Sequence, residues 1–410
     1  MHSTGWLQFV DRFVDHRPRD LHCGPCGASA LQTTTLRRVW IVAARAIIGS
    51  GVVYPREAVR FGVGSGRVAD DFVPGRALSS AFYTEVVAPL LHARPHSAAL
   101  LGWGSDVLGF DTAVSTDHGW GPRMHVFVGP SDVDAVRRDL DAGLPEQFRG
   151  WPVRFGWDGV PTQHHVRVST LTDWLHNHLG VDPRADMTPL DWLLLPQQAL
   201  LEATRGQLHA DPDGQLGRVR ALLAWFPPQV HRWLLACQWE RIGQEEAFVG
   251  RAAQVGDDLG SRLVTARLTR QLMRLAFLLS RQYWPYPKWF GTAFARLPIA
   301  TELVPPLQRA LAAALYPARE AALVEAYGVL ARAHNASGLT PHVDPQAHPY
   351  YNRPFLVLGA GRFTDACRRT VTDDWLSTLP LLGSVDQLAD STDLLASTDL
   401  ASRLRAIYRV

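Results

Sequence analysis

Residues 104–128 read GSDVLGFDTAVSTDHGWGPRMHVFV and continue the apolar run SAALLGW at 97–103. The apolar run predicts a buried strand that ends in a Gly-Ser turn, and MHVFV at 124–128 predicts the next strand. Gly104 lets the backbone approach a phosphate, and the Ser105 hydroxyl can donate to its oxygens. Asp117, which we place at the start of the second strand, supplies a carboxylate for a divalent cation. The stretch therefore predicts a corner that binds a phosphate and a metal.

Around this stretch the sequence alternates between helix and strand patterns up to about residue 185. An amphipathic helix is predicted at 79–93, and a second at 130–144 with Ser131 as its N-cap. Strands are predicted at 97–105, 124–129 and 164–171. These elements predict an α+β fold with a mixed sheet.

From Pro189 onward the pattern changes to successive long helices, which predict an antiparallel helical bundle. We therefore divide the chain into four parts. They are a poorly ordered N-terminal extension (1–72), an α/β domain (73–185), a helical bundle (186–335) and a C-terminal segment packed on the bundle (336–410).

Composition excludes several classes of partner. The chain has 410 residues, 41 basic and 39 acidic, and a formal net charge of +2, so its bulk charge does not predict a nucleic acid or an anionic membrane as partner. The most apolar early stretch, 39–54, carries Arg45 and is too short to span a bilayer. The N-terminus lacks the pattern of a signal peptide, so we expect a cytoplasmic protein.

Cysteine and lysine usage adds two expectations. Cys23 and Cys26 form a CGPC motif, but the flanking sequence lacks the strand and helix of a redox site, and we expect no redox or metal chemistry there. Cys237 and Cys367 lie in apolar helical contexts and are predicted to be core thiols. Lys288 is the single lysine of the chain, and neighbouring aromatic residues make it a candidate phosphate ligand.

A longer set of motifs carries a family resemblance. It resembles a bacterial domain-of-unknown-function family placed in the nucleotidyltransferase superfamily, from about residue 73 to the C-terminus. The segments that carry it are GWGSDVLGFDTAVSTDHGWGPRMHVFV (102–128), DWLLLPQQALLEATRGQLHAD (191–211), QWERIGQEEAFVGRAAQVGDDLGSRL (238–263), YPKWFGTAFARL (286–297), YNRPFLVLGAGRFTD (351–365) and GSVDQLADSTDLL (383–395).

The resemblance implies a layout like that of kanamycin and lincosamide nucleotidyltransferases, in which a catalytic α/β domain packs against a helical bundle. It further implies Mg²⁺ or Mn²⁺ as cofactor and a nucleoside triphosphate, most simply ATP, as substrate. The expected partners are that nucleotide and a small-molecule acceptor, and the expected oligomeric state is a monomer or homodimer.

The same resemblance assigns roles to residues of this chain. Gly104, Ser105, Arg123 and Lys288 would hold the nucleotide phosphates. Asp117 would hold the metal and be catalytic, with Asp106 and Asp111 as further candidate metal ligands. Glu245 or Glu246 would accept the proton of the acceptor hydroxyl.

This chain departs from the superfamily pattern at the metal ligands. A second carboxylate is expected two residues after the first, but His118 and Gly119 follow Asp117. The strand expected to carry a third acid offers His164, His165 and Arg167 instead. Asp106, Asp111 or Asp158 would have to compensate.

Three functions are compatible with these observations. The first is transfer of a nucleoside monophosphate from a triphosphate to a small-molecule hydroxyl. The second is nucleotide binding or sensing by a catalytically degenerate site, which the missing carboxylate favours. The third is nucleotidylation of a protein partner.

Overall fold

The sheet is built around β1 (Ser97–Leu100), the apolar run before the Gly-Ser turn. In the computed structural model, which describes residues 72–409, β1 pairs antiparallel with β2 (Arg123–Phe127) and with β7 (Gln207–Ala210). β2 pairs in parallel with β6 (Val160–Ser169), whose other neighbour is β5 (Arg154–Trp157). The fold is therefore α+β, with a mixed five-stranded sheet in the order β5-β6-β2-β1-β7.

Two short strand pairs lie apart from this sheet. β3 (Gln147–Phe148) pairs with β4 (Trp151–Pro152), and β8 (His348–Pro349) pairs with β9 (Leu356–Val357).

Helices fill most of the rest. In the first part of the described chain they are α1 (Gly75–Phe82), α2 (Ala88–Leu90), α3 (Ser105–Leu108), α4 (Val133–Gly143) and α5 (Leu171–Leu179). A π-helical turn (Tyr83–Val87) joins α1 to α2, and a 3₁₀ helix (Ala113–Asp117) precedes β2.

The second part is mostly helical. Its helices are α6 (Pro189–Leu194), α7 (Gln197–Thr204), α8 (Gln215–Leu222), α9 (Pro228–Glu245), α10 (Phe248–Gln254), α11 (Asp258–Leu279), α12 (Pro287–Phe294), α13 (Ala300–Ala312), α14 (Tyr316–Ala336), α15 (Gly361–Arg368), α16 (Asp374–Thr378), α17 (Val385–Leu388), α18 (Thr392–Leu395), α19 (Thr398–Ser402) and a closing 3₁₀ helix (Arg403–Tyr408).

The two faces of the sheet pack into different apolar cores. Met124 and Val126 face a core shared with α1 and α4, whereas Phe127 and Ala99 face the large core of the helical part. This alternation follows from the strand period of two residues. Cys237 and Cys367 are buried in the large core, which confirms their prediction as core thiols. All these elements belong to one compact unit, Phe72–Val410.

Several expectations need correction. Ser131 is not an N-cap, since α4 begins at Val133 after Asp132, and no side chain caps it. Asp117 ends a 3₁₀ helix and does not begin β2, which starts at Arg123. The edge strand β7 was missed, and it lies inside the stretch predicted as a helical bundle.

Some expectations fall on residues outside the described range. The predicted extension 1–72, apart from Phe72, lies outside it, as do Cys23 and Cys26. The division of 73–410 into three parts stays a prediction. Within the part of the chain that the structure describes, no helix is long and apolar enough to cross a bilayer.

Candidate functional site

A cleft of about 470 Å³ opens between the end of β1 and the helical part. Because β1 and β2 are antiparallel, the loop after β1 lies beside the start of β2, and this loop forms one wall. Segments around α7, α11, α12 and α17–α18 form the other. The lining side chains with polar or aromatic groups are Trp103, Ser105, Asp106, Ser115, Asp117, His118, Trp120, Gln198, Glu202, Arg270, Arg274, Trp284, Tyr286, Lys288, Phe290, Asp386 and Thr392.

The predicted Gly-Ser turn lies in this cleft. Gly104 has φ of 131°, and a Cβ there would lie 2.3 Å from both the Arg123 guanidinium and the Asp106 carboxylate. Only glycine therefore fits this position. Ser105 follows as the first residue of α3 and lines the cleft.

Asp106 and Arg123 form a buried ion pair beneath the turn. Arg123 Nη2 donates to Asp106 Oδ1 at 2.5 Å, and Nε donates to Oδ2 at 3.0 Å. Arg123 Nη2 also donates to the Trp103 carbonyl at 2.6 Å. Asp106 is 2% exposed and Arg123 6%. Both groups are satisfied by each other, so this geometry commits the predicted metal ligand and the predicted phosphate ligand to holding the turn in place.

The other two aspartates of the stretch differ in environment. Asp111 accepts from the Gly75 N–H at 2.7 Å and from Trp120 Nε1 at 3.0 Å, and it does not line the cleft. The Asp117 side chain is 66% exposed, lies 2.8 Å from His118 Nδ1, and does line the cleft. Asp158 is exposed in the turn between β5 and β6. Of these candidate metal ligands, Asp117 alone is both in the cleft and available.

The two predicted base residues lie elsewhere. Glu246 accepts from the backbone N–H groups of Leu358, Gly359 and Ala360 at 2.7, 3.0 and 2.9 Å, just before α15. Burial raises the pKa of Glu246, outweighing these three hydrogen bonds, which act in the opposite direction. Glu245 pairs with Arg267 at 2.5 Å. Neither carboxylate lines the cleft.

The helical wall carries three cations. Arg270 and Arg274, one turn apart on α11, both contact Asp390 Oδ1, at 2.8 and 3.2 Å. The Arg274 side chain is 3% exposed, its Nε has no hydrogen-bond partner among the described residues, and its guanidinium lies 5.6 Å from the Trp284 ring centre. Burial lowers the pKa of Arg274 to about 10, so it remains charged at neutral pH. Lys288, the predicted phosphate ligand, stands on α12 in the same cleft.

Two glutamine side chains shape this wall. Gln197 Oε1 accepts from the Trp284 N–H at 3.0 Å, and Gln198 Oε1 accepts from the Tyr286 N–H at 3.1 Å. They tie the segment before α12 to the start of α7 and thereby place two aromatic rings in the cleft. Gln198 also donates to Glu202 at 2.8 Å, which makes Glu202 the carboxylate on this wall.

Asp386 is the buried acid of the cleft. It is 3% exposed and accepts from the Gln197 N–H at 3.0 Å. Burial raises its pKa to about 7, so it is partly protonated at neutral pH.

Sequence reasoning missed Arg270, Arg274, Glu202, Gln198 and Asp386. The i, i+4 spacing of the two arginines places them on one face of a helix, but such pairs also occur on solvated faces. The glutamines act on backbone groups far along the chain, a relation that local sequence does not encode.

The residues present fit a metal only in part. Among the described side chains, no group of three or more His, Cys, Asp or Glu is placed to hold an ion. Asp117 with bound phosphates would be the whole ligand set for Mg²⁺, which commonly takes one or two carboxylates beside substrate phosphates.

The comparisons with known proteins concern the helical wall. Residues 192–290 match a domain of unknown function (DUF4037). The match covers about a quarter of the chain and contains Gln198, Glu202, Arg270, Arg274 and Lys288, but none of the Gly-Ser corner. Neither the curated proteins nor the solved structures contain a match to the chain.

Proposed function

We propose that the cleft binds a nucleotide, with ATP as the first candidate, and that binding does not require a metal. The observation that carries this proposal is the grouping of Arg270, Arg274 and Lys288 with aromatic rings in one cleft of ligand-binding size. Guanidinium and ammonium groups bind phosphates, and aromatic faces stack on bases. Trp103 and Trp284 are the rings nearest to guanidinium groups, those of Arg123 and Arg274.

Metal independence follows from the fate of the aspartates. Asp106 is neutralised by Arg123, and Asp111 holds Gly75 and Trp120. Phosphate charge would then be balanced mainly by the cations of the helical wall. This arrangement favours the degenerate binding or sensing function over metal-assisted transfer.

The proposal is tested by ATP titration of matched arginine variants in the presence of EDTA. Arg270 and Arg267 lie one turn apart on α11, but only Arg270 lines the cleft. Loss of a charge-assisted contact of about 1.5–3 kcal/mol should weaken ATP binding by about ten- to a hundredfold in Arg270→Gln. Arg267→Gln should bind within twofold of the parent. Equal affinity of both variants would place the nucleotide elsewhere.

Transfer of a nucleoside monophosphate to a small-molecule hydroxyl is the second candidate. It is supported by the position of Ser105, Asp117 and Lys288 in one cleft. When bound, Mg²⁺ would neutralise phosphate charge and would rest on Asp117. Glu202 would replace Glu245 and Glu246 as the acceptor base, because it is the carboxylate on the helical wall.

Pyrophosphate release with Mg²⁺ and ATP in the presence of hydroxyl acceptors tests this second function. Asp117→Ala should abolish release while ATP binding in EDTA persists. Covalent mass addition to a protein would instead indicate nucleotidylation of a protein partner. Release that survives in Asp117→Ala would remove Asp117 from the chemistry.

A further inference from the structure

A second cavity, of about 150 Å³, lies between β2, β6 and α5. Its lining includes five basic side chains and, among the described residues that line it, no acidic one. The lining residues are Leu101, Gly102, Trp103, Arg123, Met124, His125, His165, Arg167, Trp174 and His178.

Strand register brings the basic side chains together. β2 and β6 are parallel, with Arg123 opposite His165 and His125 opposite Arg167. Alternate residues of a strand share a face, so all four stand on the same face of the sheet. On α5, Trp174 stacks on His178 at 4.8 Å and closes the cavity.

Three of the five basic groups already have partners. Arg123 is paired with Asp106 at 2.5 Å, and His178 lies 3.5 Å from Glu202. His165 Nε2 is 3.0 Å from the Phe155 carbonyl, to which it donates. These contacts fix the walls of the cavity.

The remaining two groups have none. Arg167 makes no hydrogen bond or ion pair with any residue in the described part of the chain. His125 Nδ1 is buried and has no hydrogen-bond partner there either. A cation and a buried imidazole nitrogen without partners, in one cavity, are two independent indications of a missing anionic ligand.

The electrostatics agree with an anionic ligand. Burial lowers the pKa of His125 to about 3, and the charges of Arg123, His178 and Arg167 act in the same direction. Burial likewise lowers the pKa of His165 to about 4. Both imidazoles are therefore neutral at pH 7, and the field inside the cavity comes from guanidinium groups.

We propose that this cavity binds a tetrahedral oxyanion through the Arg167 guanidinium and the His125 Nδ1–H. The cavity holds about five waters at ~30 Å³ each and is smaller than a nucleotide pocket of roughly 300 Å³ or more. Its size suits phosphate, sulfate or the phosphoryl group of a small ester. The site goes beyond nucleotide binding in the cleft and does not depend on it.

Calorimetric titration of the full chain with sulfate, inorganic phosphate and methyl phosphate tests the site. Sulfate should bind the parent, and Arg167→Gln should weaken binding at least tenfold, the loss of about one charge-assisted hydrogen bond. Arg138→Gln, an exposed arginine on α4, is the control and should change affinity less than twofold. Methyl phosphate tighter than phosphate would identify an ester as the ligand, and the reverse order a free oxyanion.

A second variant removes the imidazole nitrogens and keeps the ring packing. His125→Phe preserves the contacts of the ring with Phe127 and Trp174, at 6.0 and 5.7 Å, and should also weaken sulfate binding. Selenate soaked into crystals should give anomalous density between His125 and Arg167. The proposal is overturned if sulfate does not bind the parent, or if Arg167→Gln binds it as the parent does. ATP binding by Arg167→Gln should be unchanged, which separates this site from the cleft.

Discussion

At the scale of single residues, Asp106 and Asp117 differ most in what surrounds them. Asp106 is buried against Arg123 by two hydrogen bonds, whereas Asp117 is largely exposed in the cleft. Removing one partner of a buried pair leaves the other charge uncompensated in a low dielectric. The two aspartates of one short stretch therefore have different tasks, one structural and one directed at ligands.

Substitution of these two aspartates should separate the tasks. Asp106→Asn should lower the free energy of unfolding by about 3–5 kcal/mol, because Arg123 loses its counterion. Asp117→Asn should change it by less than about 0.5 kcal/mol, as is usual for exposed positions. Urea unfolding of both variants is the measurement. Similar stability of the two would show that the buried pair does not hold the turn.

Gly104 offers a test of backbone conformation at the same corner. Gly104→Ala should destabilise the protein by about 1–3 kcal/mol, because a Cβ would collide with Arg123 and Asp106 at a φ of 131°. Gly291→Ala is the control, since a Cβ on Gly291 would meet nothing within 4 Å and this glycine stands inside α12. That control should be neutral or stabilising by up to about 1 kcal/mol. Thermal unfolding compares the two, and a stable Gly104→Ala variant would contradict the geometry.

Asp386 predicts a pH dependence of stability. Its pKa rises from 3.8 in the unfolded chain to about 7 in the fold, because it is buried. The native state then binds more protons than the unfolded state between these values, so the contribution of Asp386 to stability is full below pH 4 and is lost as pH rises through 7. Asp386→Asn should remove this loss. The difference in unfolding free energy between parent and variant, measured from pH 4 to 8, should change by a few kcal/mol; a constant difference would contradict the prediction.

At the scale of elements, Glu246 shows how one side chain sets the start of a helix. Its carboxylate accepts three successive backbone N–H groups before α15. Glu246→Ala should leave those donors unpaired at a cost of about 1–3 kcal/mol. Hydrogen exchange should then accelerate in residues 358–368, whereas Glu245→Ala should leave that segment protected. Equal protection in both variants would contradict a capping role for Glu246.

Sequence patterns predict elements better than they predict partners. β1, β2, β6 and the long helices follow from local periodicity, which burial on one face imposes. The position of Asp117 on a 3₁₀ helix and the pairing of Asp106 with Arg123 depend on how the Gly-Ser loop meets β2. Glu245 and Glu246 have a helical pattern near charged neighbours, and only tertiary packing shows that neither faces the cleft.

At the scale of the whole molecule, the cleft joins two parts of the chain with different chemistry. The loop after β1 contributes Ser105 and Asp117, and the helical wall contributes Arg270, Arg274 and Lys288. The sequence predicted Ser105, Asp117 and Lys288 in one site, and the structure places them there. The arginines come from a helix that local sequence did not connect to the corner, so the cationic character of the site emerged only from the fold.

The central claim is that this cleft binds a nucleotide without a metal. Isothermal titration of the full chain with ATP, once in EDTA and once in Mg²⁺, tests it most directly. Binding of one ATP per chain in EDTA, with an affinity changed less than tenfold by Mg²⁺, is the predicted result. No binding in EDTA, with or without binding in Mg²⁺, would contradict it.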